Sequence, residues 1–163
     1  MITGAKNPDR ISEKVNECRF FLVLMADYER VLEDEKFRYC LSAFLSAFRS
    51  ATYRLMGVTH KRFGKPAKDS LKKRLDNHKE IGFLIRQRDK EVHSDGAVVF
   101  QRIAVHLFDS MQVLSGVKGF FIPRAAGWEF EGNSKNLIEL CHDALVELEH
   151  SISQTFTSQS APC

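Results

Sequence analysis

The stretch Ile85-Arg86-Gln87-Arg88-Asp89-Lys90-Glu91-Val92-His93-Ser94-Asp95-Gly96 places two arginines, Asp89 and a histidine within a few turns of chain and then stops on Asp95-Gly96. These residue types suit phosphate chemistry. A guanidinium can hold a phosphate through two parallel hydrogen bonds, and an imidazole can move a proton near neutral pH. An Arg with a His after four to six intervening residues describes Arg88 with His93, but also Arg86 with His93 and Arg54 with His60. Context singles out Arg88 and His93: Asp89 follows directly, the apolar run Ile81-Gly82-Phe83-Leu84-Ile85 leads in, and Ser94-Asp95-Gly96 is a natural stop beyond. The plain alternative makes Arg88 a surface ion-pair partner and His93 a helix-end cation. Asp89 has two readings as well, orienting His93 or Arg88, or balancing the charge of Arg86 or Lys90.

The charge around this stretch is uneven. Residues 61 to 90 hold eleven Lys or Arg against four acids, a local balance of +7, and since the whole chain carries +3 the remainder is at −4. Such asymmetry fits an anionic partner, with nucleic acid the commonest. Lys72, Lys73, Arg74, Arg86 and Lys90 are the candidate phosphate contacts, and a solvated basic helix face is the alternative. Trp128 and Phe130 offer rings on which a base would stack, although an aromatic in such a segment more often packs into its local core. No metal or other cofactor is expected: Cys18, Cys40, Cys141 and Cys163 are scattered, and no His set has ligand spacing.

The elements that must position these residues are mostly helices. At 163 residues and 44% hydrophobic the chain has the size of one domain, 1–156, with a short disordered tail at 157–163. Asn7-Pro8-Asp9 reads as a helix start, and Ile11, Val15, Cys18, Leu22 and Met25 recur at helical steps to about Leu32. Phe37, Leu41, Phe44, Phe48, Ala51 and Leu55 form a second stripe, expected to end at Gly57 and to make an antiparallel hairpin with the first. Ser70 to about His93 reads as one helix despite Gly82. A last stripe, Leu137, Cys141, Ala144, Leu148 and Ile152, is entered through Asn133-Ser134 and should fade from Ser153.

Between the last two helices the pattern turns to β-branched and aromatic residues punctuated by Gly116, Gly119, Pro123, Gly127 and Gly132. Val98 to Phe100, Ile103 to Phe108 and Phe120 to Ile122 are expected as short strands. His78 is expected to be exposed. The longest apolar run, Phe20 to Ala26, is far short of the roughly 18 residues that a membrane span needs. With no signal-like start, the chain is expected in the cytoplasm, away from membranes.

The segments "RYCLSAFLSAFRSATYRLMG" and "FLIRQRDKEVH", with the later "GWEFEG" and "LIELCHDALVEL", together resemble the HEPN superfamily. The resemblance covers most of residues 7 to 156. It implies an all-α, up-and-down four-helix bundle with a small β insertion, about 97–131, before the last helix. It further implies a metal-independent endoribonuclease of defence or toxin type acting as a homodimer on RNA, with Arg88, Asp89 and His93 as its motif and a neutralising protein as a further partner. The alternative within the same family is a non-catalytic module that binds RNA or a partner protein. Family members more often carry Asn where this chain has Asp89. Another group is switched by nucleotide transfer to a Tyr two residues after the His, where this chain has Asp95, so that mode is not implied.

Geometry adds one condition. Five residues of straight helix turn about 140°, so Arg88 and His93 converge only if the arginine curls, the helix loosens near Ser94, or a two-fold partner completes the cleft.

Overall fold

The computed structural model describes residues 7–93, 99–103, 125–130 and 135–157, with side chains described for 10–89 and 135–157. The fold class is all-α. Four helices, α1 (Asn7–Val31), α2 (Asp34–Asn77), α3 (Lys79–His93) and α4 (Leu137–Thr157), carry the structure. Two short strands lie between the last two helices, β1 (Val99–Ile103) and β2 (Ala125–Phe130), paired antiparallel with Val99 opposite Phe130. The strand expected at 120–122, and all of 103–108 beyond Ile103, fall outside the described residues. β2 lies where no strand was expected, because Gly127 reads as punctuation, whereas the backbone carries it inside the ladder opposite Arg102.

α1 and α2 are joined by Leu32 and Glu33, with Leu32 in the left-handed region at φ 60°. So short a connection forces the chain to reverse. The far ends meet accordingly: the Arg54 guanidinium donates to the Arg10 carbonyl at 2.7 Å. The apolar stripes explain the packing, since Ile11, Val15, Cys18 and Met25 of α1 are buried against Phe37, Leu41, Phe44, Phe48, Ala51 and Leu55 of α2. Phe44 and Phe48 stack at 5.9 Å between ring centroids. α4 adds Leu137, Cys141, Ala144 and Leu148 to the same core and touches α1 through the Arg19–Glu149 ion pair at 2.9 Å. Burial pushes the Cys18 thiol up to about 12 and raises that of Cys141 as well, so neither is a nucleophile at neutral pH.

Three boundaries differ from expectation. α2 does not stop at Gly57, because Val58 and Thr59 continue its buried face. It breaks instead at Gly64, whose φ of 81° only glycine adopts without strain, with Pro66 opening the next turn. Next, Ser70 to His93 is two helices separated by His78, whose amide donates back to the Arg74 and Leu75 carbonyls and closes α2. His78 itself is half-buried rather than exposed: its Nε2 lies 3.9 Å from Glu147 of α4, and its buried Nδ1 makes no hydrogen bond. Last, Asn136 caps α4, its side-chain oxygen accepting from the amides of Ile138 and Glu139 at 2.9 and 3.2 Å; Asn133 and Ser134 lie outside the described residues. The helix then continues through Ser153 to Thr157, where Ser153, Thr155 and Thr157 hydroxyls donate to carbonyls four residues back. Residues 158–163 lie outside the described residues. Among the described residues no helix is long and apolar enough to cross a membrane.

Gly82 is where α3 meets the end of α2. A Cβ placed there would stand 2.3 Å from the Asp76 carbonyl oxygen, a backbone atom that cannot step aside. Gly57 has open space around it. The two glycines therefore predict opposite outcomes in urea unfolding. Gly82→Ala should destabilise by about 1–3 kcal/mol through overpacking, and Gly57→Ala should stabilise by about 0.5–1 kcal/mol through helix propensity.

Candidate functional site

α3 is helical without interruption from Lys79 through His93. Its positions therefore sort by period. Ile81 and Leu84 are buried in the core, and Arg88, one turn further along that edge, is half-buried. Gly82, Ile85, Arg86 and Asp89 lie on the adjoining stripe and line a cleft of about 360 Å³ against α2. Position 93 falls one further turn along this second stripe, about 40° from position 89 and about 20° from position 86. The His93 and Lys90 side chains lie outside the described residues.

The opposite walls of the cleft come from both halves of α2. The first half supplies Arg49, Tyr53 and Met56, and the half beyond the Gly64 break supplies Lys72 and Asp76. Met56 and Ile85 form an apolar floor under a charged rim. Arg49 and Asp89 form an ion pair between α2 and α3, and the other arm of the same guanidinium donates to the Tyr53 hydroxyl at 2.9 Å. The Arg49 guanidinium also lies 5.0 Å above the Tyr53 ring centroid. Lys72 is bonded to Asp76 one turn on, and that hydrogen bond first, then the nearby charge, holds its ammonium above the usual lysine range. Arg86 has no acidic partner among the described residues.

The sequence-derived candidates thus separate. Arg86, Asp89 and Lys72 come together, while Arg88 lies on the neighbouring edge of α3 and does not line this cleft. Lys72, Lys73 and Arg74 are successive helical residues about 100° apart, so they cannot share one surface. Arg74 points to α4, donating to Gln154 at 3.1 Å, and Lys73 is exposed. Asp89 is engaged with Arg49; of the partners weighed from the sequence, Arg86 and Arg88 make no bond to it among the described residues, and the side chains of Lys90 and His93 lie outside them. Sequence reasoning missed Arg49. Its only local signal was the i, i+4 step to Tyr53 beside the second apolar stripe.

A larger cleft of about 560 Å³ opens at the α2 break beside the end of α4. Its single lining cation, Arg74, is already bonded to Gln154, so the smaller cleft has the richer chemistry. Among the described residues no cluster of three or more His, Cys, Asp or Glu is placed to hold a metal ion. No family model, curated protein or solved structure matches the chain, so the site rests on its own residues.

The Arg49–Asp89 pair is partly exposed, with side chains 27% and 47% accessible. Its contribution should be small. A double-mutant cycle with Arg49→Gln and Asp89→Asn, read by urea unfolding, should give a coupling of about 0.2–1 kcal/mol that shrinks in high salt. A coupling several times larger would mean that the pair holds α3 onto α2, a role assigned here to apolar packing.

Proposed function

We propose that the chain is a HEPN-like up-and-down bundle, its residues 97–131 forming the β insertion, that acts as a homodimer to cleave RNA without a metal. What supports this reading is that Arg88 and position 93 lie on one unbroken helix, α3, whose adjoining stripe with Arg86 and Asp89 lines a cationic cleft with Arg49 and Lys72 of α2. Arg88 clamps the scissile phosphate as charge builds, and His93 moves the protons. The 2′-hydroxyl gives up its proton as its oxygen bonds to phosphorus, and the P–O5′ bond breaks with the leaving oxygen taking up a proton. The products carry a 2′,3′-cyclic phosphate and a 5′-hydroxyl. Proton transfer by a placed side chain typically contributes about 10²–10⁴-fold, and one electrostatic donor about 10²–10³-fold.

The angular offset of Arg88 and position 93 on an unbroken α3 favours a composite site, in which Arg88 of one protomer serves the His93 of the other. The same offset supports a second reading, a module of this fold that holds RNA or a partner protein without cutting. The two readings differ in one assay. On the first, purified protein cleaves single-stranded RNA in EDTA, His93→Ala abolishes cleavage with binding nearly intact, and Arg88→Lys fails to restore full activity because a point charge cannot copy the guanidinium fork. Light scattering should give a dimer. A fully active His93→Ala protein, or cleavage lost on chelation, removes the mechanism and leaves the binding module; a monomer at tens of micromolar removes the composite site.

A further inference from the structure

We infer that the cleft between α2 and α3 is a phosphate subsite for single-stranded RNA, in which Arg49 and Arg86 take one phosphodiester and Asp89 is the internal carboxylate that this phosphate displaces. The inference rests on the RNA reading above and goes beyond it, because it moves the main phosphate contact from the basic run on α2 to a residue outside that run.

A carboxylate and a phosphodiester each offer a pair of oxygens to the fork of a guanidinium. Asp89 therefore occupies on Arg49 the position that an incoming phosphate would take. The pair is open to water on the Asp89 side, with 47% of that side chain accessible, so the exchange needs no opening of the core. Arg86 stands on the same stripe of α3 as Asp89, exposed and without an acidic partner among the described residues, and gives the phosphate a second guanidinium. Lys72 is held by Asp76 at the rim and so adds little net charge. Without ligand the cleft holds three cations and two carboxylates, and freeing Arg49 from Asp89 is what makes it a strong anion site.

Size and surface chemistry narrow the ligand. About 360 Å³ is near the lower end of the roughly 300–1,000 Å³ typical of ligand pockets, enough for one nucleotide unit. Tyr53 is 54% exposed beside the cations. Arg49 covers one part of its ring, and the accessible remainder is a platform on which a single-stranded base can stack.

The test is fluorescence anisotropy with a short labelled single-stranded RNA, using the full chain carrying His93→Ala so that turnover does not intervene. Adding Asp89→Asn should tighten binding about three- to tenfold, because a competing charge is lost while the side chain keeps its size. Arg49→Gln should weaken binding by about tenfold and flatten the slope of log affinity against log salt by about 0.7, the signature of one lost phosphate contact on a single strand. Arg49→Lys should recover only part of the loss, and Tyr53→Leu should weaken binding without changing the slope. Arg19→Gln, which removes the same charge from α1, should change affinity by less than about twofold if location matters. Circular dichroism confirms that each variant is folded. If Asp89→Asn leaves affinity unchanged or lowers it, Asp89 is not the displaced anion. If Arg49→Gln binds as the parent does while Arg74→Gln or Arg88→Gln weakens binding, the subsite is overturned and the RNA reading stands. If the parent shows no salt-dependent RNA binding, both fall.

Discussion

Position 82 has no room for a side chain, and the geometry around the cleft follows from that constraint. A single non-helical residue, His78, separates α2 from α3, so the first turn of α3 must pass directly over the last carbonyls of α2. Gly82 lies 2.3 Å, measured from where its Cβ would be, from the Asp76 oxygen, and only a missing side chain allows that approach. Once α3 is seated there, Ile81 and Leu84 reach the core, and Ile85, Arg86 and Asp89 come to face the first half of α2. The Arg49–Asp89 pair follows from this docking and does not cause it. A partly exposed ion pair contributes too little to seat a helix, whereas burial of leucine and isoleucine side chains contributes about 1.5–3 kcal/mol each.

The excess positive charge of residues 61–90 is not one surface. It is divided by the Gly64 break, by the turn at His78, and by the helical rotation of neighbouring residues. Lys72 faces the α2–α3 cleft with Asp76 beside it, and Arg74 is bonded to Gln154 on α4. A count of charges along the sequence therefore overstates the field that any single ligand would meet, and the balance within each cleft is the more useful quantity.

Much of the helical frame was legible because burial writes a period into sequence. Phe37, Leu41, Phe44 and Phe48 could be read as one face since each step of three or four residues returns to the core. Breaks were harder. Gly57 continues a helix and Gly64 breaks one, and the local difference is Pro66, which follows Gly64 by two residues and cannot supply an amide to continue the helix, whereas Val58 and Thr59 after Gly57 keep to the buried face. The partner of Asp89 was not legible for a different reason. Arg49 stands 40 residues earlier, and no local periodicity links a residue on α2 to one on α3. Arg88 and Asp89 look like one unit in sequence, but a helix turns about 100° per residue, which puts them on different edges of α3.

The break at Gly64 has a mechanical meaning. Residues 65–77 form a rod of about 20 Å, at 1.5 Å of rise per residue. Of the two residues that make one wall of the cleft, Lys72 lies just past the middle of the rod and Asp76 near its far end. The base of the rod is fixed by the Gly64 break, and Leu71 and Leu75 along its length are buried in the core. At its far end the Asp76 carbonyl is seated against Gly82 of α3, so the rod is pinned at both ends and the wall it supplies keeps its distance from the facing stripe of α3.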